Sequence, residues 1–142
     1  MRRRTIVTGA AVAAALALGG PVQAGNDGKT RKDIQEFNEV FLEYVAKGDL
    51  LFHGNTVDRV QLGSSGMACA MCHPHAADTH PYQFPKFQVS MSKFATLEEM
   101  INWCIEKPNA GKTIPLDSEA MKALVAYITW SNRGAQLDPG RY

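Results

Sequence analysis

The sequence predicts an all-α fold. Three stretches carry apolar residues at three- and four-residue intervals, two of them begin at helix-capping side chains, and no stretch alternates as a strand would. At 142 residues the chain is long enough for one domain and a leader.

The leader is residues 1–24. Arg2, Arg3 and Arg4 precede an apolar, alanine-rich run from Ile6 to Leu18, and Val22-Gln23-Ala24 supplies small residues at a cleavage site. The run is too short to span a bilayer, so it reads as a secretory signal peptide cut after Ala24, with a periplasmic product and no membrane span in the mature chain. With the leader set aside, twelve basic side chains face fourteen acidic ones, a charge of about −2. That balance argues against a nucleic-acid partner. Residues 25–32 are polar and read as a flexible N-terminus, leaving 33–142 as the domain.

The first helix is expected from Asp33 to Lys47, with Ile34, Phe37, Phe41, Tyr44, Val45 and Gly48 on its inner face and Glu36, Glu39, Glu43 and Lys47 outside. Gly48 on that face suits the close approach of another helix. His53 to Gly66 is glycine-rich loop or short helix. Three prolines between Pro74 and Pro85 exclude a regular element there. Thr96 and Glu99 form a capping box for a second helix to about Glu106, with Leu97, Met100, Ile101, Cys104 and Ile105 on one face. Asp117 or Ser118 caps a last helix that buries Met121, Leu124, Val125 and Ile128 and ends at Asn132-Arg133-Gly134.

Between the first and second helices stands Cys69-Ala70-Met71-Cys72-His73. Two cysteines so spaced can each add a thiol across a haem vinyl group, and the following histidine can ligate the iron. The segment therefore reads as the attachment site of one covalent haem c, with Cys69 and Cys72 as thioether links and His73 as proximal iron ligand. A dithiol redox motif would need a strand–helix setting, and a zinc site a second ligand pair of similar spacing. Neither is present in the sequence. Small cytochromes c also begin with a helix running into a Gly-x-x-Leu-Phe-like segment, which Gly48-Asp49-Leu50-Leu51-Phe52 resembles.

The second axial ligand decides what such a protein can do. Common electron-transfer cytochromes use a methionine in a Met-Pro dipeptide before the last helix, where this chain has Ile114-Pro115, and isoleucine cannot bind iron. Cys104 is the leading candidate, the one cysteine left over and inward-facing on its helix; its alternative role is a small buried apolar residue. Met100, one turn earlier, and His80 are the competitors. Met91 and Met121 read as loop and core, His75 follows His73 too closely to cross to the other haem face, and His53 reads as a surface residue.

From Met67 to Gly134 the chain resembles the haem domain of sulfur-oxidising cytochromes, namely thiosulfate dehydrogenases and the A subunit of the sulfur-oxidation cytochrome complex. The likeness lies in Phe84-Pro85-Lys86-Phe87, in Thr96 to Ile105, in Gly111-Lys112 and in Pro115 to Ile128. It is also similar to small His/Cys-ligated cytochromes of anaerobic ammonium oxidisers that pair as heterodimers. The specific part is Asn102-x-Cys104, and the resemblance implies that Cys104 is the distal ligand. Two departures stand out. The chain has one attachment site where the thiosulfate enzymes use a second haem. After Cys104, Lys107 and Lys112 are available to an anionic substrate, but Glu106 would oppose it.

Three functions follow as expectations. The first is a periplasmic mono-haem cytochrome with His/Cys ligation, acting in electron transfer or as a redox or gas-binding subunit. Its partner would be a redox protein, either a second cytochrome subunit or another copy of itself. The second is a subunit of a thiosulfate- or sulfur-oxidising enzyme with Cys104 as the reacting sulfur. The third is an ordinary His/Met carrier using Met100.

Overall fold

The computed structural model describes residues 28–57, 60–62 and 66–141. The expected signal peptide and its cleavage site lie outside the described residues. In order, the elements are α1 (Arg31–Phe52), α2 (Cys69–Cys72), a two-stranded antiparallel hairpin of β1 (Lys86–Gln88) and β2 (Lys93–Ala95), α3 (Leu97–Glu106) and α4 (Glu119–Ser131). The helical class expected from the apolar periodicity is the one observed.

The first helix extends beyond its expected bounds at both ends. The Thr30 hydroxyl accepts from the Asp33 backbone N–H at 3.2 Å, and the Asp33 carboxylate accepts from the Thr30 N–H at 2.7 Å, so Arg31 and Lys32 join the helix instead of the polar lead-in. At its other end the helix runs through Gly48 because Leu51 and Phe52 continue the buried stripe. Only the second half of the expected inner face is covered. Val45, Gly48, Leu51 and Phe52 are buried, whereas Ile34, Phe37 and Phe41 remain exposed.

The core is the crossing of α1 with α4, which contributes Ala120, Met121, Ala123, Leu124, Tyr127 and Ile128. The Phe52 and Tyr127 rings meet with centroids 5.2 Å apart, and the Lys47 ammonium pairs with Glu119 at the edge. Ser118, not Asp117, caps α4, its hydroxyl accepting from the Met121 N–H at 3.2 Å. Thr96 and Glu99 cap α3 reciprocally as expected, and the Lys93 ammonium donates to the same Glu99 carboxylate at 2.7 Å, tying β2 to α3.

Between Pro74 and Pro85 there is no α-helix or strand, only two single 3₁₀ turns. His75, Ala76, Asp78 and His80 all have left-handed backbone, with φ between 46° and 58°. Such residues cost on the order of 1 kcal/mol each unless their surroundings hold them. Here Asn132 at the end of α4 donates to the Ala76 carbonyl at 3.1 Å and the Thr79 hydroxyl at 3.2 Å. The 138–140 segment adds bonds from the Asp138 N–H to the Tyr82 carbonyl and from the Gly140 N–H to the Gln83 carbonyl.

The hairpin is the element that sequence patterning missed. Its strands are three residues long, too short for an alternation to register, and pair Lys86 with Ala95, Phe87 with Phe94 and Gln88 with Lys93.

Gly48 is the tightest point of the fold. A Cβ there would sit 2.0 Å from the Ala123 carbonyl oxygen and 2.7 Å from the Tyr127 Cβ. Gly48→Ala would gain about 1 kcal/mol of helix propensity, yet a clash against backbone costs about 1–3 kcal/mol or more. The substitution is therefore expected to destabilise the protein, read as a lower Tm in thermal denaturation followed by circular dichroism; an unchanged or raised Tm would contradict the close crossing.

Candidate haem-binding site

A largely apolar cavity lies where α1, α3 and α4 meet α2 and the segment 78–88. It encloses about 270 Å³, close to the lower end of the roughly 300–1,000 Å³ of sites that hold small ligands and cofactors. Phe52, Leu97, Ile101, Leu124 and Ile128 supply its apolar wall, and Cys69, His73, Met100, Cys104 and His80 also reach it. Asp78, Thr79, Lys86 and Gln88 form a polar sector, all from the loop and β1.

Each sulfur and imidazole arrives there for a local reason. Cys69 opens the one-turn helix α2, whose carbonyl accepts the His73 backbone N–H at 2.9 Å. His73 Nδ1 lies 3.0 Å from the Ala77 carbonyl oxygen. A carbonyl can only accept, so Nδ1 carries the proton and Nε2 keeps its lone pair, the tautomer an iron ligand needs. Cys104 reaches the cavity because α3 is amphipathic, and its helical turn also brings Met100 there. Cys72 is exposed, and all three cysteines are free thiols. Among the described residues no group of three or more His, Cys, Asp or Glu is placed to hold a metal ion by itself.

Asn102 gives the Asn-x-Cys spacing a physical reason. Its side-chain amide donates to the Ile114 carbonyl at 2.8 Å, and its Oδ1 accepts the Ile114 N–H at 3.0 Å. The bidentate clamp fixes the Ile114-Pro115 segment to α3 two residues before Cys104. Asn109, buried, caps the end of the same helix with its N–H on the Cys104 carbonyl at 3.2 Å and sends its side chain to the Cys69 thiol.

Burial raises the pKa of both inner thiols. For Cys104 the value is pushed up to about 11, by loss of water first and then by the nearness of Cys69 and Cys72. At neutral pH the sulfur is a thiol, and a positive centre beside it is needed to hold it as thiolate. The apolar walls, the free Nε2, the convergent sulfurs and the polar sector together suit a haem. His73 and either Cys104, Met100 or His80 would hold the iron, with Cys69 and Cys72 available to the vinyl groups.

The residues that the sequence sets aside as ligands, and the two lysines it offers to a substrate, lie elsewhere. His75 and His53 border a separate shallow depression with Asp49. Met121 is fully buried in the core. Lys107 pairs with its neighbour Glu106 at 2.9 Å, and neither it nor Lys112 lines the cavity. The cation that does line it is Lys86, which the sequence presented as part of a resembling stretch without assigning it a role.

A helical domain whose Cys-x-x-Cys-His segment opens onto an apolar, thiol-bearing cavity is of the cytochrome c class, whose cofactor is covalently bound haem. Residues 54–137 match the family model described as the SoxA/TsdA cytochrome c domain, and the chain belongs to that family. It is 29% identical over 85 residues to a thiosulfate dehydrogenase of Allochromatium vinosum, an alignment covering 51% of this chain and 32% of that one. A thiosulfate dehydrogenase of Psychrobacter arcticus is 31% identical over 70 residues, covering 44% and 21%. The chain thus spans about a third or less of the length of these relatives. The crystal structure of SoxXA from P. pantotrophus superimposes with a TM-score of 0.60 at 19% identity, over 73% of this chain and 38% of that one, a likeness of fold. No helix among the described residues is long and apolar enough to cross a membrane.

The raised Cys104 value predicts its reactivity in the haem-free chain. Alkylation by iodoacetamide, followed residue by residue in mass spectra, is expected to be slower at Cys104 than at exposed Cys72 at pH 7. The Cys104 rate should climb about tenfold per pH unit toward pH 11, since the thiolate is the nucleophile. A rate that levels off near pH 8 would show an unperturbed thiol.

Proposed function

We propose that this chain is an exported, periplasmic mono-haem cytochrome in which Cys69 and Cys72 carry the haem and His73 and Cys104 are the axial iron ligands. In this reading it works as a low-potential electron-transfer or redox-responsive subunit beside a partner cytochrome. The observation that carries it is the convergence of the His73 imidazole and the Cys104 thiol on one apolar cavity in a chain of the SoxA/TsdA family.

When bound, haem supplies one-electron exchange between ferric and ferrous iron. The residues decide how that exchange is tuned. Cys104, as thiolate, brings a negative charge to the distal side, which favours the ferric state and lowers the potential below that of a methionine-ligated site. A thiol whose pKa stands near 11 without a cation returns readily to its protonated form once the neighbouring positive charge falls. A haem held by His73 and Cys104 would thus serve in electron exchange or, where Cys104 is protonated, in binding a diatomic gas such as nitric oxide or carbon monoxide. The Phe52, Leu97, Ile101 and Leu124 side chains give the cavity an apolar lining. The SoxXA likeness favours a second cytochrome as the partner.

A second reading follows from the named activity of the thiosulfate dehydrogenase relatives: Cys104 is the reacting sulfur of a sulfur-compound-oxidising enzyme, with a partner haem taking the electrons. Met100 on the same cavity wall favours a third, the His/Met carrier.

Optical and electron paramagnetic resonance spectra of wild type and Cys104→Ala separate these readings. Thiolate features in the ferric wild type, lost in the variant together with a rise in potential, are expected. A methionine charge-transfer band kept by the variant would replace Cys104 with Met100. Thiosulfate oxidation with an artificial acceptor, falling about 10³-fold or more in Cys104→Ala, would select the enzyme; no turnover with any partner would discard it.

A further inference from the structure

The cavity is apolar over most of its wall and polar in one sector, and that sector contains a cation with no anion of its own. Lys86 is half-buried in β1. Its ammonium donates to the neutral Gln83 Oε1 at 2.9 Å and lies 5.3 Å from the centre of the Phe84 ring. Among the described residues no carboxylate pairs with it, although Asp78 lines the same cavity. Strand alternation turns Gln88 to the same side and sends Phe87 outward, where it pairs with Phe94; both rings are exposed. An ammonium fixed by a neutral amide and an aromatic face at an apolar wall is poised for an anion, because the charge is partly desolvated and its geometry already set.

We propose that Lys86 is the anion-receiving residue of the haem pocket, holding a carboxylate or small oxyanion at its polar sector with the Gln88 amide beside it. The assignment rests on the haem reading above. Two sources of that chemistry exist: a haem propionate, or a free oxyanion such as sulfite or thiosulfate entering by the mouth. A propionate is favoured because the apolar wall accommodates the porphyrin face and leaves its charged edge for the one cationic sector. Lys107 and Lys112, the cations that sequence position suggested, stand outside the cavity and cannot serve either source.

The test uses haem-loaded wild type and Lys86→Arg, Lys86→Gln and Lys86→Glu, with haem content measured by pyridine haemochrome and folding by circular dichroism. For each, the ferric/ferrous potential is measured, and the ferric spectrum is titrated with sulfite and with thiosulfate. If the anion is a propionate, the potential drops in Lys86→Gln, drops further in Lys86→Glu and is kept in Lys86→Arg, while the titrations are alike in all four. If it is a free oxyanion, the wild-type spectrum responds to the titrant and the apparent Kd weakens about tenfold or more in Lys86→Gln, the loss of one charge-assisted hydrogen bond. Either pattern supports the assignment and names the source. Haem-loaded variants with unmoved potential and unmoved titration overturn it while leaving the cofactor reading intact; a wild-type chain that takes up no haem ends both.

Discussion

The fold depends on how closely α1 can lie on α4. With Gly48 in contact with the Ala123 backbone and Tyr127, the two helices approach until Leu51, Phe52, Leu124 and Ile128 form one surface. A larger residue would hold them apart and widen the wall on which the cavity rests. The short helix α2, the proline-rich loop and α3 assemble on that platform, so the spacing of the sulfurs is set by a glycine far from them in sequence. The chemistry needs this precision, since a ligand displaced by an ångström no longer meets its metal.

The cavity offers one imidazole in a fixed tautomer and several candidate ligands for the opposite position. What distinguishes Cys104 is the number of contacts devoted to its segment. The Asn102 clamp on Ile114, the Asn109 cap on the Cys104 carbonyl and the Thr96–Glu99 box all hold α3 and its following turn in place. Met100 shares the helix, the Thr96–Glu99 box and the Asn102 clamp; the Asn109 bond falls on the Cys104 carbonyl alone. Of these groups Asn109 is buried and Asn102 part-buried, so the turn that follows Cys104 is held from inside the fold.

The long elements and the haem motif were legible in the sequence because they rest on local rules. The capping box at Thr96, a cap at Asp117 or Ser118 and the Cys-x-x-Cys-His spacing need no tertiary knowledge. The first helix was visible but mismeasured: its periodic stripe suggests burial from Ile34 onward, yet periodicity records an apolar face and says nothing about which part of it another element covers. The hairpin escaped because three-residue strands carry too little alternation to register. Lys86 escaped with it, since its place in the cavity follows from the pairing of β1 with β2. By contrast, Lys107 and Lys112 are near Cys104 in sequence, yet they stand in the turn and loop after α3 and do not line the cavity.

One wall of the cavity carries a dependence on chain order. The left-handed residues from His75 to His80 belong to a loop fastened by Asn132 and, through Tyr82 and Gln83, by backbone groups of Asp138 and Gly140, some 56 residues downstream. In chain order Cys69 and Cys72 come well before those fasteners. The wall they stand beside is therefore completed by the last residues of the domain, and shortening the tail would slacken a loop that lies next to them.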